Sequence, residues 1–132
     1  MKGLDTNILV RYLTQDEAAQ AKRASECIKG ECSSDRPCLI NRIVLCELVW
    51  VLEGAYGYRR ADIADVLEKI LRTNQFLIED LQACWSAFEK YRASRVDFSD
   101  ALLAGTNRML GCEATITFDK GAAQLEDFEL LE

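Results

Sequence analysis

Short β-type runs alternate with helix-period segments along the whole of this 132-residue chain, and that alternation restricts it to an α/β architecture. Lys2 to Asp5 has the pattern of a short strand and runs straight into a helix that Thr6 or Asn7 would cap and that extends through about Leu13. Glu17 to Ile28 carries Ala18, Ala21, Ala24 or Ser25, and Ile28 at spacings of three or four, a helix that Gly30 is expected to stop. A polar, turn-like stretch follows from Gly30 to Asp35. Pro37 to Ile40 fits a second short strand, Ile43 to Ala55 an apolar helix ended near Gly57, and Ala61 to Leu71 another helix. Phe76 to Ile78 reads as a brief strand. Leu81 to Tyr91 then places Cys84, Trp85, Phe88 and Tyr91 on one helical side. Asp97 to Leu110 is a helix closed by Gly111, Ala114 to Thr117 is β-rich, and Phe128 to Leu131 fits a final edge strand. The expectation is one domain over residues 1–132, with a short, mostly parallel central sheet flanked by helices on both faces.

Composition narrows the chemistry. With 49% hydrophobic and 29% charged residues the chain can bury one core and has no room for a second domain. No window approaches the roughly 18 apolar residues that cross a bilayer, and the N-terminus meets Asp5 where a signal peptide needs an apolar stretch; a cytoplasmic protein with no membrane partner is expected. Six cysteines lie without a C-x-x-C pair, and buried thiols are the expected state. Histidine is absent. That removes histidine general bases, Ser/His/Asp and Cys/His triads and histidine-ligated metals, and leaves carboxylates to carry acid, base or metal chemistry. The net charge of −6 weighs against a nucleic-acid partner without deciding the matter, because a bound Mg²⁺ inverts the local field and 16 lysines and arginines remain.

Ligands of open parallel sheets bind at the carboxyl ends of the strands, where Asp5 and Asp119 both sit, and pairing of the strands that precede them would bring the two together. Each also has a plain explanation as a turn residue. Glu47 interrupts the run Ile43-Val44-Leu45-Cys46-Glu47-Leu48-Val49-Trp50. It is therefore either at a solvent-facing edge or partly buried and in need of a cation. In Asp97-Phe98-Ser99-Asp100, Asp97 fits the N-cap and both acids complement the helix dipole, while Asp100 can also face inward. Gly105, inside this helix, points to close backbone packing. Four or five carboxylates brought together without histidine would repel one another unless a hard divalent cation, Mg²⁺ or Mn²⁺, held them. Such an ion polarises a phosphodiester and lowers the pKa of an attacking water.

The ordered motifs resemble those of the PIN-domain nucleases, and among them the VapC-like toxins of bacterial toxin–antitoxin pairs. The segments are Leu4-Asp5-Thr6-Asn7-Ile8-Leu9-Val10-Arg11-Tyr12-Leu13, then Thr14-Gln15-Asp16 with Gln20-Ala21, Glu47-Leu48, Asp97-Phe98-Ser99-Asp100-Ala101-Leu102, and Thr115-Ile116-Thr117-Phe118-Asp119-Lys120. The likeness covers essentially the whole chain. It implies an Mg²⁺-dependent endoribonuclease, with Mn²⁺ as a substitute, whose acids are Asp5, Glu47, Asp100 and Asp119, with Asp97 nearby. Thr6, Asn7 and Thr117 are implied to support ligands or phosphate oxygens. The resemblance also implies an RNA substrate, a homodimer and a cognate antitoxin protein. Gly121, where a bulkier residue is common, and Ser99 depart from the pattern. Alternative readings are a receiver-type phospho-accepting domain, which wants adjacent acids after its first strand where Asp5 is followed by Thr6, and a catalytically silent PIN-like binding module. Arg59-Arg60 and Arg92 with Arg95 read as solvated surface, and Trp50, Trp85 and Phe88 as core or dimer-interface residues.

Overall fold

Three-residue strands cannot supply a long ladder, so the helices set this fold. The computed structural model describes residues 1–132, and the chain divides into two compact units, Met1–Glu79 and Asp80–Glu132. The element order is α1 (Thr6–Thr14), α2 (Ala18–Glu31), β1 (Cys38–Ile40), α3 (Arg42–Gly54), α4 (Arg60–Arg72), β2 (Phe76–Ile78), α5 (Leu81–Ala93), α6 (Phe98–Met109), β3 (Thr115–Thr117), a 3₁₀ turn (Ala122–Gln124) and β4 (Phe128–Leu130). The α/β class with short parallel strands is as expected.

In the first unit β1 and β2 pair in parallel, Cys38 opposite Phe76 and Ile40 opposite Ile78. The segment before Asp5 joins β1 through a single bridge, Gly3 to Leu39, with the Leu4 N–H donating to the Leu39 carbonyl at 2.9 Å. Helix α1 packs on α2 and α3, and α4 on α3 and β2. The helices present their periodic apolar residues inward: Leu9 and Val10 from α1, Ala21, Ala24 and Ile28 from α2, Leu45, Leu48 and Leu52 from α3, and Ile63, Leu67 and Ile70 from α4 are all buried. Each large aliphatic side chain so buried contributes about 1.5–3 kcal/mol against the entropy of ordering the chain.

In the second unit α5 packs on α6, with Tyr91 edge-on to Phe98 at 6.1 Å between ring centres. Strands β3 and β4 pair in parallel, Thr115 opposite Phe128 and Thr117 opposite Leu130. A small apolar cluster of Ala104, Ala122 and Phe128 joins α6 to the 3₁₀ turn and β4. Asp127, just before β4, is held by Lys90 from α5 and by Arg108 from α6 at 2.6 Å, which keeps its carboxyl below the usual range.

Several expectations are corrected. The hydrogen-bonded strands form two separate pairs, β1 with β2 and β3 with β4, so pairing between the strand before Asp5 and the strand before Asp119 is not one of the ladders. Asp5, and neither Thr6 nor Asn7, caps α1: its Oδ1 accepts the Thr6 N–H at 2.7 Å. Gly30 does not stop α2, which runs on to Glu31 because the Cys32 N–H still closes on the Ile28 carbonyl. Gly105 is not explained by close packing, since a Cβ there would meet nothing within 4 Å. Not all six cysteines are thiols. The turn Ser33–Arg36 folds the chain back so that Cys32 and Cys38, with Cα atoms 5.2 Å apart, are joined as a disulfide. Cys84 is a buried thiol as expected, whereas Cys27 and Cys112 are exposed. Phe88 is core, while Trp50, 54% exposed, is not, which leaves the interface reading for it.

Candidate metal centre

The acids singled out in the sequence fall into two sets, one in each unit. In the first, the N-cap geometry of α1 fixes Asp5 at the helix N-terminus, where the helix dipole favours a negative charge. Thr6 is the next residue, and its side chain is buried. Its hydroxyl donates to Glu47 Oε1 at 3.0 Å, tying α1 to the middle of α3. Glu47 is half-buried, so its apolar neighbours in the sequence are informative in one direction only: Leu45 and Leu48 are core, whereas Ile43 and Trp50, one turn to either side of it, are exposed. Glu47 therefore sits at the rim of an apolar helix, with one oxygen fixed by Thr6 and Oε2 available. Asn7 is exposed beside them.

In the second unit, Asp97 occupies the N-cap position of α6 without capping it through its side chain. Its Oδ2 accepts instead from the Ser99 hydroxyl at 2.7 Å. Asp100 lies in the first turn of α6, half-buried, and its pKa is raised, first by burial and then by the negative charges of Asp97 and Asp119. Those three acids are thus close enough to feel one another. Asp119 follows β3 in a tight loop: its N–H donates to Thr117 Oγ1 at 3.0 Å, and its Oδ1 accepts from the N–H groups of Gly121 at 2.8 Å and Ala122 at 3.3 Å. The turn role suggested for Asp119 accounts for Oδ1 and leaves Oδ2 open. A Cβ at position 121 would lie 3.1 Å from Asp119 Oδ1, so the glycine there permits the close approach.

Thr6 and Thr117 act as supports for acids, while the support that Ser99 gives Asp97 went unread; the i, i+2 spacing of a hydroxyl and a carboxylate at a helix start was its only signal. A second network was also missed. Arg11 Nη1 donates to Asp16 Oδ1 at 3.1 Å and to the Tyr56 hydroxyl at 3.1 Å, and Tyr56 and Thr14 both donate to Asp16. These hydrogen bonds, Tyr56 foremost, hold the Asp16 carboxyl at about 2.

Within neither unit do three or more His, Cys, Asp or Glu side chains form a ready-made group of ligands. The donor set nevertheless suits a hard divalent cation. All candidate ligands are carboxylate oxygens, Glu47 Oε2 and Asp119 Oδ2 carry no hydrogen bond, and the mutual repulsion centred on Asp100 is the penalty that a cation removes.

The PIN domain family matches residues 3–127. A protein described as VapC ribonuclease, from Aquifex aeolicus (strain VF5), is 26% identical over 120 residues, which is 91% of this chain and 88% of that protein. No solved structure matches. The match takes in Asp5, Glu47, Asp97, Asp100 and Asp119 together with the hydroxyl residues that hold three of them, and on that basis this chain belongs to the PIN domain family.

Proposed function

We propose that this chain is an endoribonuclease that hydrolyses RNA phosphodiester bonds with Mg²⁺, that Asp5, Glu47, Asp100 and Asp119 are the acids that hold the ion, and that the protein is the toxin of a toxin–antitoxin pair. The observation that carries the metal reading is Asp100, half-buried in the first turn of α6 with no hydrogen-bond donor, whose ionised form is disfavoured by burial and by Asp97 and Asp119 and would be favoured by a nearby cation. The RNA and toxin readings are supported by the VapC ribonuclease relative, which spans most of both chains.

A bound divalent cation supplies Lewis-acid polarisation of the phosphodiester and lowers the pKa of an attacking water. The chain's own residues orient the acids. Thr6 holds Glu47, Ser99 holds Asp97, and the Gly121 and Ala122 N–H groups fix Asp119 with one oxygen turned to each role. Mn²⁺ has the same preference for oxygen ligands and is expected to substitute.

Purified protein should cut RNA with Mg²⁺ or Mn²⁺, stop with EDTA, and lose cleavage on Asp5→Asn. Full metal-dependent cleavage by that variant would sink the assignment of the acids, and a calorimetric titration without Mg²⁺ or Mn²⁺ binding would favour a silent binding module. Growth arrest on expression, relieved by the cognate antitoxin and absent in Asp5→Asn, tests the toxin role. A homodimer is also proposed, with Trp50, an exposed aromatic of α3 at 54% accessibility, as the residue that tests it. Light scattering of wild type and Trp50→Glu reads that directly. No helix is long and apolar enough to cross a membrane, and the proposed site of action is the cytoplasm.

A further inference from the structure

A cleft of about 540 Å³ opens between α1 and α2, with Asn7, Ile8, Arg11, Gln20, Arg23 and Cys27 among its lining residues. No carboxylate lines it, in a chain whose net charge is −6. Arg11 is already compensated: its Nε donates to Gln20 at 2.7 Å and its Nη1 to Asp16. Other arginines are paired along their own helices, Arg59 with Asp62 and Arg92 with Glu89. Arg23 is exposed, lines the cleft and makes no ion pair, so its charge is uncompensated. Of the lining residues, Asn7 lies in the first turn of α1, next to Thr6 and two residues from Asp5.

We propose that this α1–α2 cleft binds the phosphodiester backbone of single-stranded RNA, with Arg23 contacting a phosphate and the Asn7 side chain donating to the same strand. The proposal rests on the endoribonuclease reading and adds to it a place for the strand that leaves the acids. Guanidinium and amide donors without a competing acid are the groups that bind phosphate oxygens, and they position a strand without selecting its sequence. A cation here also answers the objection raised by the overall negative charge: affinity for a polyanion depends on the local field.

The test uses the full chain and a short fluorescein-labelled oligouridylate, with binding followed by anisotropy in EDTA so that cleavage does not enter. Arg23→Gln should weaken binding about five-fold at 0.1 M salt and flatten the slope of log affinity against log salt by about 0.7, the effect of one lost phosphate contact on a single strand. Arg23→Lys should restore most of the affinity. With Mg²⁺ present, Arg23→Gln should raise KM and leave kcat near wild type. Cys27 supplies a second readout, since it is an exposed thiol in the cleft and Cys112 an exposed thiol elsewhere: oligouridylate should slow alkylation of Cys27 and leave Cys112 unchanged. No binding by wild type, equal affinity and salt slope for Arg23→Gln, or an unprotected Cys27 would each overturn the proposal. Shielding of Cys27 by the antitoxin and not by oligouridylate would overturn it in favour of a protein occupant. Failure of the nuclease reading looks different: wild type would bind and protect Cys27 yet cut nothing with Mg²⁺ or Mn²⁺.

Discussion

The two sets of acids are held in opposite ways. In the first unit Asp5 and Glu47 each take a hydrogen bond from the same residue, one from the Thr6 backbone and one from its buried hydroxyl. In the second, Asp97 and Asp119 have donors, but Asp100 accepts none and stands under the charges of both. A carboxylate with a donor is stable without a cation. One that is half-buried and faces two like charges pays a cost for ionising that a nearby cation offsets. Coupling between cation and stability is therefore expected to run mainly through Asp100.

The largest effect should come from Asp100→Asn, which is expected to lower metal-dependent cleavage by at least about 100-fold, as loss of a ligand exceeds loss of an outer partner. The same variant should be no less stable than wild type in EDTA. The sign follows from the raised pKa: the ionised form of Asp100 is disfavoured in the fold, so its contribution to stability falls as pH rises through and above the usual carboxylate value of about 4. The gap in Tm between Asp100→Asn and wild type should open over that range in EDTA and close when Mg²⁺ is added. Asp16 and Asp127 behave oppositely, their contributions being present above about 4 and lost as pH falls toward their depressed values, that of Asp16 about 2. If Glu47→Gln raised Tm in EDTA as much as Asp100→Asn, the contrast between the two sets would be broken.

Next in size is Thr6→Val, which keeps the volume and removes the donor to Glu47. It should cost about 1 kcal/mol in denaturant unfolding and lower cleavage about 10-fold or more, because the carboxylate loses its fixed direction. Unchanged cleavage would mean that Glu47 is not oriented by Thr6. Gly121→Ala tests the second set more gently: the new Cβ, 3.1 Å from Asp119 Oδ1, must push it by a few tenths of an ångström, and a fall in activity of a few-fold is expected. Gly105→Ala is the control of opposite sign. It meets open space in the interior of α6 and should stabilise by up to about 1 kcal/mol without altering cleavage.

Much of this was legible in advance because its signals are local. The order of strands and helices followed from periodicity, and Asp5, Glu47, Asp97, Asp100 and Asp119 stood out as candidates because they are acids at strand ends and in apolar or N-terminal helix positions. What misled were signals with two physical meanings. Gly30 marks a stop only when the next N–H lacks a carbonyl, and here the Cys32 N–H has one in Ile28. The apolar neighbours of Glu47 left two readings open, a solvent-facing edge or partial burial, and Glu47 is half-buried while Ile43 and Trp50 face out on the same side of α3. Cys32 and Cys38 gave no pairing signal, because only the reversal at Ser33–Arg36 brings their backbones within reach.

By itself, then, the sequence determined the α/β class and, through the lack of histidine, the exclusion of histidine-ligated metals and histidine general bases. Those properties depend on composition and short-range spacing. Only the tertiary structure decided that Thr6 serves Glu47 from a distant helix, that Asp100 carries the repulsion of its unit, and that Arg23 opens onto a cleft without acids. Each depends on how elements pack: Thr6 and Glu47, 41 residues apart, meet at 3.0 Å, Asp100 is half-buried within the field of Asp119 as well as Asp97, and Arg23 is set by α1 and α2 where no acid lines the space between them.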